Sequence, residues 1–448
     1  MHNLYYINML PESIALDRSA HPIDGRIDER IGLYIHIPFC AQKCPYCDFN
    51  TYAGLDALHV AYVDALCAEI NRWAEPLTRR TIGTLFIGGG TPTVLAIAQL
   101  ERILTTVRQS FKLVPDCEIT SEANPGTVDR AIFRGLRSLG VNRLSMGVQS
   151  FQPEELAFLG RVHDVADVYA AFDAARGAGF DNVNLDFMFG LPKQSARAWD
   201  ATLDAALALA PEHLSLYSLI VEPGTPLYTS VQTGQVAAPD DDDAADLYLR
   251  ARERLGAVGY SQYEVSNWAR GATSSSSGSR EDAGPGETCD DASIRAVPTL
   301  ASRHNLVYWR NQEYLGVGPG AHSHLRGSAV AAVAADTDLA DHRWGNVRPV
   351  PGYIRRIGAG ESVEAFREEI DPRTAMGETM MLGLRLVGEG VPFAGFSALH
   401  GRDLRGVFAA ELAELADWGL IAMDGARVRL TERGLMVGNQ VFGRFMAD

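Results

Sequence analysis

An α/β fold of six strand-helix units, curled into a barrel or partial barrel and followed by a smaller α+β module, is what the sequence predicts. Three observations carry it. Strand-like runs alternate with amphipathic helical stretches between Gly32 and Ala210, the order of a parallel sheet with crossover helices. Polar residues gather where those runs end, and the active sites of such folds lie at the carboxyl ends of the strands. From about Asp371 the pattern turns helical and then finishes in short strand-like pieces.

The strands are GLYIHI from Gly32, TLFIGG from Thr84, EITSEAN from Glu118, RLSMGVQS from Arg143, VNLDFMFG from Val183 and HLSLYSLI from His213. A helical pattern follows each. The clearest are AYVDALCAEINRW from Ala61, AQLERILTTVRQSF from Ala98, VYAAFDAARGAG from Val168 and AWDATLDAALALA from Ala198, with apolar residues near i, i+3, i+4 and i+7. The acidic run Asp240 to Asp243 precedes AADLYLRARERL and supplies negative charge at a helix N-terminus. Beyond Asp371, helical stretches, a turn at Gly425 and a β-ribbon read as a winged-helix-like module. It has several acidic residues and no strongly basic recognition helix, so a lid or partner surface is expected rather than DNA binding.

Composition narrows the function classes. With 448 residues and 46% hydrophobic content the chain is globular and long enough for two or three domains. No run approaches the ~18 apolar residues of a membrane span, which leaves at most peripheral membrane contact. A formal charge of -16 argues against a nucleic-acid partner, because phosphate binding is dominated by clustered Lys and Arg. Six cysteines, and no charged-then-apolar signal segment at the start, point to a reducing, cytoplasmic setting.

Cys40, Cys44 and Cys47 form a Cys-x3-Cys-x2-Cys run directly after the first strand, where the fold puts chemistry. Thiolates are the usual ligands of iron-sulfur clusters, and four is the ordinary number. A loop offering three therefore implies a four-iron cluster with one open coordination position, by the logic that separates catalytic from structural zinc sites. Half of a zinc site is the alternative, although no Cys or His pair of zinc-like spacing follows within the next few dozen residues. Cys67 and Cys117 read as small buried hydrophobes, and Cys289 as an exposed thiol in a polar insert.

The remaining strand ends carry a second set. Gly88, Gly89 and Gly90, followed by Thr91 and Pro92, form a turn without Cβ atoms that allows backbone to approach a ligand and donate N-H groups. Glu122 ends the third strand, Ser145 and Gln149 the fourth and Asp186 the fifth, with Arg161 in the next connection. Helix capping is the mundane role for a carboxylate there. Beside the cysteine loop, the same groups suit ribose hydroxyls and an amino acid end.

The cysteine stretch resembles the radical S-adenosylmethionine (SAM) superfamily. YIHIPFCxxKCxYCDF, GGGTPT, SEANPG, RLSMGVQSF, LDFMFGLPKQ and GVGPGAHS together resemble, more narrowly, the family of oxygen-independent coproporphyrinogen oxidases and HemW-type haem chaperones. The match runs from about Gly32 to the C-terminus, interrupted once. It implies a 4Fe-4S cluster on Cys40, Cys44 and Cys47, with SAM on the open iron as the source of a 5'-deoxyadenosyl radical. It also implies SAM contacts from Tyr34, Tyr46, Gly89, Gly90, Thr91, Glu122, Gln149, Arg161, Asp186 and His322.

Two features separate the branches. The oxidases carry a further cysteine two residues after the third, where this chain has Phe49. RHNLVYW, with His304, Asn305, Tyr308 and Trp309, resembles the HNxxYW signature of the haem chaperones. Imidazole is a common haem ligand and aromatic rings pack on porphyrins, so haem is expected in or near this segment. In a bland reading His304 is a packed, hydrogen-bonded core histidine. The resemblance thus implies a chaperone that delivers haem to acceptor haemoproteins and draws on an electron donor. Oxidative decarboxylation of coproporphyrinogen III, or radical methyl or alkyl transfer to a small molecule, are the enzymatic alternatives.

GVGPGAHS, from Gly316 to Ser323, is not a dinucleotide fingerprint, because no βαβ unit surrounds it and Pro319 interrupts the glycines. A close-packed loop facing the barrel mouth is expected. The stretch 271-301 is rich in Ser, Gly and acidic residues and reads as a disordered insert. The expected organisation is a flexible terminus over 1-30, a barrel over 31-265, the insert, a site-completing segment over 302-370 and the winged-helix-like module over 371-448.

Overall fold

Side-chain alternation along the strands decides what faces the interior of this protein. In the computed structural model, residues 30-271, 297-327 and 341-446 are described. All six expected strands are present: β1 (Arg30–Ile37), β2 (Thr81–Gly89), β3 (Lys112–Ala123), β4 (Arg143–Gln149), β5 (Val183–Phe189) and β6 (His213–Ser218). They pair in parallel in that order. Leu144, Met146 and Val148 of β4, Val183, Leu185 and Phe187 of β5, and Leu214 and Leu216 of β6 all enter the main core. The alternate residues Arg143, Ser145, Gly147, Asn184, Asp186 and Ser215 line a cavity instead, as a period of two requires. Ser145 and Asp186 are therefore mid-strand groups rather than strand ends. Asp186 reaches the interior by parity, not by position.

The helices cover the other face. α1 (His59–Arg72) buries Tyr62, Val63, Leu66 and Ile70, and α2 (Ile97–Ser110) buries Leu100, Ile103, Leu104 and Val107, at the expected helical spacings. Asp240 caps the helix Asp241–Ala257 by accepting from the N-H groups of Asp242 and Asp243, as the acidic run implies.

The sheet continues beyond the six strands. Among the described residues it has twelve strands, in the order β12-β11-β10-β9-β1-β2-β3-β4-β5-β6-β8-β7. β7 is Ser261–Glu264 and β8 Asn267–Ala269. β9 (Tyr314–Val317) lies parallel to β1, and β10 (His322–Arg326), β11 (Asp341–Asn346) and β12 (Glu364–Ile370) follow antiparallel. GVGPGAHS is thus a strand, a tight turn and the start of a strand rather than a loop. Its glycines hide the strand signal, yet packing demands them: a Cβ on Gly316 would stand 2.1 Å from the His322 carbonyl oxygen.

The C-terminal module begins with the helix Pro372–Gly383, capped by Asp371. β13 (Val391–Pro392), β14 (Ile421–Met423) and β15 (Arg427–Leu430) form a three-stranded antiparallel sheet, order β13-β15-β14, beside the helices Phe393–His400 and Ala409–Asp417. This is the expected winged-helix-like arrangement. Leu382, Arg385 and Asn439 bring the module to the cavity wall.

Residues 1-29 of the expected N-terminal segment 1-30, most of the insert and Cys289 lie outside the described residues, and Arg30 already belongs to β1. The insert's assigned end needs correction: Ala301 is buried, and Val297 and Leu300 pack with it against Tyr263, Ala269, Leu306 and Leu386. These apolar residues anchor 297-301 to the fold. Among the described residues no helix is long and apolar enough to cross a membrane.

Candidate cofactor and ligand site

The cysteine loop is tied at its base. Cys40 N-H donates to the Tyr52 carbonyl at 3.0 Å and Tyr52 N-H to the Pro38 carbonyl at 2.8 Å, while Gly90 and Thr91 donate to Ile37 and Phe39, both at 2.7 Å. The loop therefore hangs from the ends of β1 and β2. All three of its thiols line the cavity, whereas Cys67 and Cys117 are buried in the core. Each thiol has a polar neighbour: Thr91 Oγ1 donates to Cys40 Sγ at 3.7 Å, Arg161 Nη1 to Cys44 Sγ at 3.3 Å, and Thr51 Oγ1 is 3.9 Å from Cys47 Sγ. Burial pushes the Cys47 thiol up to about 11 and raises that of Cys40, so loading a metal displaces protons. Among the described residues no group of His, Cys, Asp or Glu is arranged to hold a single metal ion. A cluster, whose ligands sit on separate irons, fits three separately supported thiols.

The glycine turn acts differently from expectation. Gly89 N-H donates to Glu122 Oε2 at 2.9 Å, and the N-H groups of Gly90 and Thr91 are spent on the cysteine loop. They are not a free donor cradle. Packing is what requires glycine: Gly89 has φ of 105° and a Cβ there would stand 2.4 Å from the His36 ring, while one on Gly88 would stand 2.8 Å from the Glu122 carboxyl. Tyr34 lies behind this turn, its hydroxyl 2.9 Å from His36 Nδ1, and is not in the cavity lining.

Glu122 and Asp186 face one another electrostatically. Burial, then the Asp186 charge, pushes Glu122 up to about 8. Burial also raises Asp186, against hydrogen bonds from Asn184 at 2.8 Å and Ser145 at 3.1 Å. Two buried carboxylates with no cation bonded directly to them suit a cationic ligand. Beside them Gln149 takes a left-handed φ of 71° at a register shift in β4, a conformation rare outside glycine and typical of sites that re-aim a side chain. Arg161 Nη2 donates to the Gly147 carbonyl at 2.8 Å, and Tyr46 lies against Arg161 and Cys44. Tyr46, Gly89, Gly90, Thr91, Glu122, Gln149, Arg161 and Asp186 all line the one cavity of about 500 Å³.

The RHNLVYW segment forms the helix Arg303–Trp309, whose first N-H groups are held by Ser302 and by the Glu118 carboxylate. His304 is not in the cavity lining but lies behind Phe86 and Tyr308, which are. It is fully buried, stacked on Phe86 at 5.3 Å, with Nδ1 2.8 Å from Thr84 Oγ1 and Nε2 3.0 Å from the Tyr308 hydroxyl. Burial holds it down at about 3. Both nitrogens are engaged, so the expected direct contact of His304 with haem is corrected to a supporting role for Tyr308. Asn305, Tyr308 and Trp309 do line the cavity. His322 is corrected as well: it packs against Phe366 at 5.4 Å and is not in the lining.

Other lining residues escaped the sequence reading: His324, Tyr314, Arg143, Arg343, Arg385 and Glu264. Arg143 opens a recognised motif, and its parity with Ser145 was the available signal. His324 and Arg343 come from strands added after the barrel pattern ends, and no local signal ties them to it.

Residues 34–206 match the radical SAM superfamily and residues 370–437 the HemN C-terminal domain. The haem chaperone HemW of Bacillus subtilis (strain 168) is 36% identical over 416 residues, covering 93% of this chain and 99% of the relative. The chain belongs to the HemW family. A HemW haem chaperone of Mycobacterium tuberculosis (strain ATCC 25618 / H37Rv) is 35% identical over 92% of this chain and 93% of its own length. In fold, the HemW-family chain is similar to coproporphyrinogen III oxidase (HemN) from Escherichia coli, a radical SAM enzyme, with a TM-score of 0.73 at 23% identity over 93% of this chain and 89% of that one. The 4Fe-4S cluster and SAM are the cofactors of the radical SAM superfamily, and the residues gathered here fit both.

Proposed function

We propose that this protein is a haem chaperone that carries a SAM-ligated 4Fe-4S cluster, binds haem in the same cavity and passes it to acceptor haemoproteins. Cys40, Cys44 and Cys47 hold the cluster. Tyr46, Thr91, Glu122, Gln149, Arg161 and Asp186 hold SAM, with Tyr34, Gly89 and Gly90 shaping the turn beneath it. When bound, the pair supplies one-electron chemistry, for which a reductant partner is needed. Arg161 orients Cys44 and closes one side of the pocket. The carboxylates of Glu122 and Asp186 balance a cationic ligand.

One observation supports the reading most: the cavity runs from the three thiols to a wall of Tyr308, Trp309 and Tyr314 with Arg343 and Arg385 beside it. Aromatic faces are what a flat porphyrin needs. Phe49 at the position of the oxidases' further cysteine weighs against decarboxylation. The relatives' names as haem chaperones agree with the same choice. The lack of a nucleic-acid partner fits the net charge of -16, and a cytoplasmic location fits the sparse cysteines.

Trp309 provides the test. Its ring carries the Arg385 guanidinium 4.3 Å from its centroid, and truncation removes both stacking surface and that arrangement. Trp309→Ala should weaken haem binding about tenfold, read by Soret titration, with iron content retained. Unaltered haem affinity would place haem elsewhere.

A further inference from the structure

Arg143, the first residue of β4, has a buried charge that nothing in the site described so far uses. It is 2% exposed yet lines the cavity. Its Nε has no hydrogen-bond partner, and among the described residues no carboxylate pairs with its guanidinium. The other arginines of the lining are held: Arg161 by Cys44 and Gly147, Arg343 by Glu378 and Glu368, and Arg385 by Glu264. Asp186 is close enough to feel the Arg143 charge, but its oxygens accept from Ser145 and Asn184. The other neighbours it acts on are the imidazoles of His213 and His304, which burial holds neutral, and the Tyr263 phenol, which burial keeps protonated. A buried guanidinium with no carboxylate bonded to it is unfavourable, and an anion entering the cavity would relieve it.

Position selects the anion. Gln149, at the other end of β4, lies at the level of Arg161 and the cysteine loop. At ~3.3 Å per residue the two ends of the strand are about 20 Å apart, so an amino acid end held at the cluster does not reach Arg143. Beside the deep end stand Tyr308 and Trp309, and the indole Nε1 of Trp309 is a second buried donor without a partner. Unpaired donors next to aromatic faces call for a planar apolar body bearing carboxylates.

We propose that Arg143 is a binding residue that receives a propionate carboxylate of the tetrapyrrole at the deep end of the cavity. This deepens the haem-chaperone reading and rests on it. The reconstituted wild-type protein should bind haem about 10- to 100-fold more tightly than haem dimethyl ester, the scale of a charge-assisted hydrogen bond. R143Q should bind both alike, near the wild-type affinity for the ester, and R143K should restore part of the preference. A wild-type protein that binds haem and its ester equally, or an R143Q variant that keeps the preference, overturns the role of Arg143 alone. A wild-type protein that binds neither overturns the haem-chaperone reading with it. If R143Q does not fold, R143K decides: a preference for haem unchanged from wild type would overturn the role of Arg143.

Discussion

Cys44→Ser should remove the charge-transfer absorption and most of the bound iron from the reconstituted protein, and Cys40→Ser and Cys47→Ser should do the same. Each thiol lines the cavity and receives its own polar neighbour, so none is a spare. A serine hydroxyl is a harder, less acidic ligand than a thiol, and losing one of three leaves the cluster under-ligated. Cys67→Ser and Cys117→Ser are the controls. Both thiols are buried in the apolar core, where a hydroxyl costs about 1–3 kcal/mol of stability but iron stays bound. Full cluster occupancy in Cys44→Ser would sink the assignment.

Gly90→Ala should be nearly as damaging although it removes no ligand. The new Cβ would stand 2.4 Å from the Phe39 carbonyl oxygen and 2.8 Å from that of Ile37. Both neighbours are backbone, so no side chain can swing aside. These are the carbonyls that accept from Thr91 and Gly90 and join β2 to the base of the cysteine loop. Pushing them apart also carries Thr91 away from Cys40 Sγ. The expected cost is about 3 kcal/mol or more, seen as a lower melting temperature together with reduced iron loading. Gly358, at the end of the helix Val350–Gly358, has nothing within 4 Å of a built Cβ, and Gly358→Ala should change neither reading. Normal melting and iron content in Gly90→Ala would show that the turn is not braced in this way.

The barrel was legible because its strand-like runs are short and separated by strongly periodic helices. The cysteine loop was legible because its ligands are local in sequence. What stayed hidden is long-range. β9 is four residues long and glycine-containing, and its pairing with β1 depends on a chain segment nearly 300 residues away. The inward position of Asp186 was found for the wrong reason, since strand parity rather than the strand end directs it. His304 drew attention as an imidazole in an aromatic motif, yet Thr84 and Tyr308 already occupy both of its nitrogens. Spacing within RHNLVYW carries no trace of Thr84, which lies on another strand. Arg143 could be read as a strand residue, but its missing counter-ion becomes visible only when every neighbour is placed.

Haem transfer by the anaerobically reconstituted protein, assayed beside coproporphyrinogen III turnover, tests the central claim most directly. The haem-loaded protein should convert an apo-haemoprotein to its holo form, followed by the Soret band of the acceptor, and should release no carbon dioxide from coproporphyrinogen III with SAM and a strong reductant. SAM-dependent carbon dioxide release without stable haem binding would contradict the account and make this chain an oxidase.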